Sequence, residues 1–245
     1  MTERNTGKAA LAAAFLFVTC TWATTIQASV SVSPVRLDLD AAHSRDVITI
    51  GNGGTEAKSY EAGVSAWSQS ADSGDTYTPS DDVLVVPPIF TLQPGEQQTV
   101  RVGLMRNPDV DTELAYRVFF TELPPPQPEA PQQSGVTMRL RLGVPLFVAP
   151  VKGVSPGLKV TGSERNGDVL FMHFQNTGNV HVKVNEVQYE APGLAEKTST
   201  AAVFYILPGQ TGTLPISLPH GNAVGTVTLI TDTAGSLEYD LQASP

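Results

Sequence analysis

The chain has 245 residues, with 24 acidic and 15 basic side chains and a formal net charge of −9. This acidic balance disfavours nonspecific binding to nucleic acid and to anionic membranes. The single cysteine, Cys20, lies in the N-terminal segment, and its removal with that segment would exclude disulfides, thiol catalysis and thiolate metal sites.

The first residues have the layout of a secretory signal peptide. Arg4 and Lys8 precede an apolar run over residues 9–18, and a polar stretch follows that ends with Ala28. Such a run is too short to cross a bilayer, so we predict cleavage after Ala28 and export. A retained anchor is the alternative, and a lipidated Cys20 fits less well because the residues before it match that pattern poorly. No second long apolar run follows, which predicts no membrane insertion after cleavage.

The rest of the chain reads as a series of short β-strands separated by turn residues. Runs rich in Val, Ile, Thr, Phe and Tyr alternate with clusters of Gly, Pro, Asn and Asp, and helical periodicity is nearly absent. This spacing predicts an all-β fold of the sandwich type. The clearest strand candidates are residues 46–50, 62–67, 99–104, 116–120, 170–174, 180–187, 201–206 and 225–231.

A polar connector with glycine and proline divides this series in two. It covers residues 152–157 and directly follows an apolar stretch that ends at Val151. The length after the signal segment suffices for two domains of ordinary immunoglobulin-like size. We therefore predict a signal peptide at 1–28, a first domain at 29–150 and a second domain at 157–245.

The sequence contains no convincing catalytic or metal-binding pattern. His173 and His181 lie on either side of a predicted turn at 176–179, where a hairpin would bring them together. A metal site needs further ligands, and ordinary surface or turn histidines are the other interpretation. An acidic, Ser/Gly-rich segment at 72–82 fits no ordered calcium loop and is interpreted as solvated. We predict no enzymatic activity, no metal and no cofactor.

The most informative segment covers residues 136–144. Every second side chain is apolar, so an extended strand would carry one hydrophobic row and place Arg139 and Arg141 on its other face. A proline-rich stretch at 124–131 precedes it and predicts an exposed loop, because proline lacks the N–H donor. The row is either the core side of an ordinary sandwich strand or a surface for another protein. Its members are Val136, Met138, Leu140, Leu142 and Val144.

Four motifs occur in a recognisable order along the chain. They cover residues 33–37, residues 87–102, residues 116–125, and the alternating strand with residues 146–150. Together they resemble the PapD-like periplasmic chaperones of pilus assembly. An Asn-rich turn at 174–181 is similar to one in the second domain of that family. The resemblance spans the chain after the signal segment and is stronger in its first half.

This resemblance implies two immunoglobulin-like β-sandwich domains arranged as an L or boomerang and located in the periplasm. It also implies that one strand is lent to pilus or fimbrial subunits, a form of β-augmentation called donor-strand complementation, before delivery to an outer-membrane usher. The lent side chains would be Val136, Met138 and Leu140, with Leu142 continuing the row. No nucleotide motif occurs, so no ATP is implied.

The chain departs from the family pattern at Pro145. Well-known members of the family carry a lysine there, which with a first-strand arginine anchors the C-terminal carboxylate of the subunit. Arg36 matches that arginine. Either it acts with another arginine, for which Arg117 is the first candidate and Arg101 the second, or the carboxylate is anchored differently in this chain. A surface cross-strand charge is the other interpretation of Arg117. Pro145 also removes one ladder hydrogen bond from its strand, and the missing lysine suggests the archaic or alternative branch of the family.

Two other classes of protein compete with this interpretation. A structural pilus subunit or immunoglobulin-like adhesin would carry a free N-terminal extension of alternating apolar residues, which the short segment 29–34 does not supply. An exported carbohydrate-binding module or enzyme would need exposed aromatic platforms or paired carboxylates. The aromatic residues here, Trp67 included, fit strand cores instead.

Overall fold

The computed structural model describes residues 29–70, 74–106, 109–124, 138–192, 197–218 and 224–241. Within these ranges the chain forms seventeen strands and no helix, and hence no helix that could cross a membrane. The strands are β1 (Val30–Ser33), β2 (Leu37–Leu39), β3 (Arg45–Asn52), β4 (Lys58–Ser70), β5 (Gly74–Pro79), β6 (Val83–Val86), β7 (Ile89–Leu92), β8 (Gln97–Leu104), β9 (Leu114–Glu122), β10 (Arg141–Val148), β11 (Leu158–Asn166), β12 (Val169–Asn176), β13 (Val182–Glu190), β14 (Thr198–Ile206), β15 (Thr211–Ser217), β16 (Gly225–Thr231) and β17 (Ser236–Leu241).

The first ten strands form a sandwich of two sheets. One sheet has the order β1-β3-β8-β6, and the other has the order β2-β10-β9-β4-β5 with β7 also paired to β4. Alternation along each strand sends one set of side chains inward, as in β6, where Val83 and Val85 are buried while Leu84 and Val86 are exposed. The inward residues of both sheets form one continuous core.

The last seven strands form a second sandwich. Its sheets have the orders β11-β12-β15 and β14-β13-β16-β17. Their inner faces enclose a separate core that includes Phe174, Val184 and Leu229. The prediction of an all-β fold with two immunoglobulin-like sandwiches is confirmed. The domain limits themselves stay a prediction, and the signal peptide lies outside the described residues.

A third apolar cluster joins the two sandwiches. Trp67 and Phe147 of the first sandwich pack against Leu207 of the second. The Gln69 amide adds a polar link, since its Nε2 donates to the Tyr205 carbonyl at 2.9 Å and its Oε1 accepts from the Leu207 N–H at 2.8 Å. Trp67 is buried, as expected of a core residue, and the apolar cluster that it belongs to lies between the two sandwiches.

The segment at 72–82 also differs from expectation in part. Its residues 74–79 form β5, which pairs with the end of β4 and was interpreted as loop because its composition is polar. The side chains of β5 are exposed, so the strand needs no apolar row. Cross-strand contacts hold it instead, including a 2.6 Å hydrogen bond between the hydroxyls of Ser68 and Thr76.

Candidate functional site

Strand β10 has an open edge along its first half. It lies between β9 and β2, but β2 is short and pairs only with Leu146–Val148. The preceding residues 141–145 have β9 as their one strand partner within the described part of the chain. One side of this backbone is therefore available for pairing with another strand.

The direction of the backbone groups along β10 follows from two hydrogen bonds. Glu122 N–H donates to the Leu140 carbonyl, and Ala149 N–H donates to the Leu39 carbonyl, both at 2.8 Å. Because these directions alternate along an antiparallel strand, even-numbered residues face β9 and odd-numbered residues face the open edge. The N–H that Pro145 lacks would point to the open edge. The expected loss of a ladder hydrogen bond therefore does not affect the pairing with β9.

The apolar row passes from solvent into the core of the first sandwich. Met138 is 88% exposed, Leu140 is half-buried, Leu142 packs partly against the first core, and Val144 belongs to that core. Val136 lies outside the described residues. The regular ladder begins only at Arg141, later than the sequence pattern predicts, although the Leu140 carbonyl already bonds to Glu122.

Arg36 lies just before β2 and is already paired with two carboxylates. Its Nε donates to Asp38 Oδ2 at 2.9 Å, and its Nη1 donates to Asp232 Oδ2 of the second sandwich at 2.8 Å. Partial burial lowers the pKa of Arg36, but the charges and hydrogen bonds of Asp38 and Asp232 outweigh burial and raise that pKa overall. This arginine is a fixed cation whose charge is balanced within the molecule.

Arg117 is the contrasting cation. Its guanidinium lies 4.1 Å from the Trp67 ring centroid and 5.8 Å from that of Tyr77, so two aromatic faces hold it. Its buried Nε has no hydrogen-bond partner, and its Nη1 approaches the Gly143 carbonyl at 3.5 Å. Among the described residues, no carboxylate forms an ion pair with Arg117.

Gly143 makes room for this arrangement. A Cβ at that position would lie 3.0 Å from the Phe119 ring and 3.1 Å from Arg117 Cδ. The guanidinium of Arg141 packs over the Phe119 ring, 3.7 Å from the ring centroid. A side chain at position 143 would therefore crowd the aromatic and cationic groups beside the open edge.

The register places the two predicted anchor residues on either side of Pro145. Arg117 lies opposite Pro145 on β9, and Arg36 precedes Leu37, which is the parallel partner of Leu146. Tyr205 lies close enough to both arginines to feel their charges. Burial raises the pKa of Tyr205, and the positive charges of Arg36 and Arg117 offset only part of this rise.

Arg101 does not belong to this site. It alternates with the buried Val100 and Val102 on β8 and is exposed on the outer face of the other sheet of the first sandwich. There it lines an open groove with Val47, Leu84 and other residues. The second candidate for the anchor is therefore wrong.

His181 is buried at the contact between the two sandwiches, a position that sequence reasoning missed. Its side chain is 4% exposed, and its Nδ1 lies 2.8 Å from Glu113 Oε1 of the first sandwich. Its ring stacks on Phe147 at a centroid distance of 3.6 Å. The interpretation of His181 as a surface or turn histidine is wrong. No local signal predicts this contact, because 68 residues separate the histidine from its partner.

His173 and His181 are not brought together by a hairpin. The strands that flank the predicted turn, β12 and β13, lie in different sheets of the second sandwich. His173 bonds instead to the Thr213 hydroxyl at 2.9 Å. In the part of the chain that the structure describes, no group of three His, Cys, Asp or Glu side chains is placed to hold a metal ion.

Two immunoglobulin-like sandwiches with an open strand edge beside their common face define a two-domain, all-β class of protein. Residues 29–153 match the family described as pili and flagellar-assembly chaperone, PapD N-terminal domain. The chain belongs to this family. It is thus a pilus-assembly chaperone by family and not an enzyme, as the sequence motifs predict, and not a pilus subunit or a carbohydrate-binding module.

Solved structures share the fold across both sandwiches. A chain of the CsuC-CsuE chaperone–tip adhesion subunit pre-assembly complex, from the archaic chaperone-usher Csu pili of Acinetobacter baumannii, is 17% identical with a TM-score of 0.62, covering 87% of this chain and 98% of that chain. A chain of the Salmonella enterica SafA pilin–SafB chaperone complex is 19% identical with a TM-score of 0.55, covering 87% and 96%. The Pseudomonas aeruginosa CupB2 chaperone is 15% identical with a TM-score of 0.53, covering 87% and 100%. No curated protein matches the chain.

Proposed function

We propose that this protein is a periplasmic chaperone that lends the front of β10 to pilus or fimbrial subunits and delivers them to an outer-membrane usher. The observation that carries the proposal is the apolar row of Met138, Leu140 and Leu142 beside the open edge of β10. A solvent-exposed methionine at the start of a row whose next two members are only partly buried is a poor ending for a sandwich strand, but a suitable surface for an incomplete partner.

Donor-strand complementation uses both features of this strand. A subunit that lacks its last strand has unpaired backbone groups and an open apolar groove. The backbone of Arg141 and Gly143, which faces the open edge, would pair with the subunit. The side chains of the row would fill its groove and contribute about 1.5–3 kcal/mol each before the costs of ordering. Later exchange of the lent strand for another subunit's extension needs no nucleotide.

Arg117 and Arg36 are the groups that would anchor the C-terminal carboxylate of the subunit. A carboxylate prefers an arginine because the planar guanidinium donates two parallel hydrogen bonds. Arg117 has no internal carboxylate partner among the described residues and is held in place by Trp67 and Tyr77. It supplies the unbalanced positive charge beside Pro145, where well-known relatives of this family carry a lysine. Because this lysine is missing, we propose that the protein belongs to the archaic or alternative branch of the family.

Co-expression with a candidate pilin from the same genome neighbourhood tests the lent strand. The double substitution Met138→Asp and Leu140→Asp should abolish recovery of the pilin from the periplasm, because it places two charges in the apolar groove. The chaperone should stay folded, since Met138 is exposed and Leu140 is only half-buried.

Arg139→Asp is the matched control. It introduces the same side chain between the two altered positions but on the opposite face of the strand. Recovery of the pilin should remain close to that of the unaltered protein. If the double variant still recovers the pilin at the level of the unaltered protein, the proposed role of this strand is wrong.

A further inference from the structure

Asp232 lies between the guanidinium of Arg36 and the imidazole ring of His181 at the junction of the sandwiches. Its Oδ2 is 2.8 Å from Arg36 Nη1 and 3.9 Å from His181 Nε2. Its Oδ1 accepts the Lys183 N–H at 3.1 Å, and its own N–H donates to the Lys183 carbonyl at 3.1 Å. The backbone of Asp232 is therefore fixed, while one carboxylate oxygen has two possible partners.

The His181 ring has one satisfied and one unsatisfied nitrogen. Nδ1 bonds to the buried carboxylate of Glu113, and the Thr233 hydroxyl donates to the His181 carbonyl at 3.0 Å. Nε2 is buried without a hydrogen-bond partner. The acidic oxygen within reach of it is Asp232 Oδ2, which needs to move by only about 1 Å to accept a hydrogen bond from a protonated Nε2.

An incoming carboxylate competes with Asp232 for Arg36. The Nε side of the guanidinium is taken by Asp38, which lies two residues away on the same chain segment. A subunit carboxylate that binds both terminal nitrogens of the fork would need Nη1, and Nη1 is held by Asp232. Nη1 has two N–H groups, but a carboxylate that binds end-on would approach the negative charge of Asp232 at the same nitrogen, so we expect the two carboxylates to compete for Arg36.

We propose that Asp232 is a displaceable internal partner of Arg36 and that His181 receives it when a subunit binds. This inference rests on the proposed function, since it takes the subunit carboxylate as the group that displaces Asp232. His181 takes a proton from solvent on Nε2 and then donates a hydrogen bond to Asp232. Subunit binding is thus coupled to the uptake of one proton.

The charges around the His181 ring support this coupling. The nearby charged residues come from four segments of the chain. Glu113 directly precedes β9, Asp232 directly follows β16, and Lys183 lies on β13 two residues after His181. Arg36 and Asp38 belong to the segment at β2. The remaining faces are covered by the rings of Phe147 and Tyr205. The two ring nitrogens thus each have one carboxylate nearby, Glu113 at Nδ1 and Asp232 at Nε2.

Binding of a synthetic peptide to the purified full-length chaperone tests the proposal. The peptide carries the C-terminal strand of a pilin that co-purifies with the chaperone, with either a free carboxylate or a terminal amide. Titration calorimetry in buffers of different ionisation enthalpy measures proton uptake. The free-carboxylate peptide should bind more tightly as the pH falls from about 8 to 6, where histidine ordinarily gains its proton. Uptake of one proton changes affinity by at most about tenfold per pH unit.

Three substitutions test whether Asp232 competes with the subunit for Arg36 or instead supports Arg36 in binding it. Asp232→Asn should tighten binding of the free-carboxylate peptide at about pH 8 by several-fold and remove the dependence on pH, because Arg36 is then free. Asp38→Asn is the matched control and should retain the dependence on pH. His181→Asn keeps a donor near the Nδ1 position but cannot titrate, so its affinity should not change with pH.

Three results would overturn the proposal. One is weaker or unchanged binding by Asp232→Asn, which would make Asp232 a support for Arg36. The second is the absence of proton uptake by the unaltered protein, and the third is a pH dependence that survives in His181→Asn. If the unaltered protein does not distinguish the free carboxylate from the amide, the carboxylate anchor fails as well. If it does distinguish them and only the Asp232 variant disagrees, the anchor stands and the displacement alone is wrong. A His181 variant that does not fold leaves the Asp232 and proton-uptake measurements decisive.

Discussion

Arg117 lies directly opposite Pro145 in the β9–β10 ladder, and Trp67 covers its guanidinium at 4.1 Å. Arg36 lies on the other side of Pro145 but is bound to two carboxylates. The two arginines therefore differ in how much positive charge they offer to a partner. The position of Arg117 opposite Pro145 also explains how a chain with proline there keeps a cation close to this point of β10.

Removal of the Arg117 guanidinium should weaken subunit binding more than removal of that of Arg36. We expect Arg117→Ala to reduce affinity for the pilin peptide by at least about tenfold, equivalent to about 1.4 kcal/mol, because Arg36, the arginine on the other side of Pro145, already has two carboxylate partners. Arg117→Lys should restore part of the loss, since the charge returns without the bidentate fork. Arg101→Ala, on the outer face of the other sheet, is the control. An affinity of Arg117→Ala equal to that of the unaltered protein would remove Arg117 from the site.

Phe147 should be essential for the joint between the sandwiches. It is 1% exposed and contacts both Trp67 and the stacked His181 ring, so Phe147→Ala leaves a cavity at the junction. We expect a loss of about 3–5 kcal/mol in the free energy of unfolding and separate urea transitions of the two sandwiches. Ile89→Ala, at an exposed apolar residue, should change little. A single transition with an unchanged midpoint in Phe147→Ala would show that the junction does not couple the sandwiches.

Alkaline pH should destabilise the protein partly through Tyr116. Burial and the carboxylate of Asp82, which accepts the Tyr116 hydroxyl at 3.1 Å, raise the pKa of this phenol to about 12. Since tyrosine in an unfolded chain loses its proton near pH 10, the folded state loses stability as the pH rises from about 10 to 12. The contribution is about 2 kcal/mol and is fully present below about pH 10. Denaturation at increasing pH should show a smaller fall for Tyr116→Phe, and equal falls would contradict this assignment.

The strands were predictable where burial on one face imposes alternation. Runs such as residues 99–104 and 116–120 lie within β8 and β9 because their apolar residues form one inward row. Strand β5 was not predictable in this way, since neither of its faces is buried. The position of Arg117 beside Pro145 follows from the order of the family motifs, but its stacking on Trp67 depends on side-chain placement.

The polar contacts between the sandwiches were beyond sequence reasoning for a different reason. Arg36 and Asp232 are 196 residues apart, and the relative placement of two domains sets their contact. His181 and Glu113 show the same limitation, because nothing in the local sequence distinguishes a buried interdomain histidine from one in an exposed turn. Periodicity identifies faces of elements, whereas contacts between domains depend on how those faces meet.

Site-specific photo-crosslinking tests the central claim most directly. A photoreactive amino acid replaces Met138 in one variant and Arg139 in another, and each variant is co-expressed with a candidate pilin from the same genome neighbourhood. If the row that begins in the exposed Met138 enters the subunit groove, irradiation should yield a covalent chaperone–pilin adduct at position 138 and little or none at position 139. Adducts of equal yield at both positions, or at position 139 alone, would contradict the account.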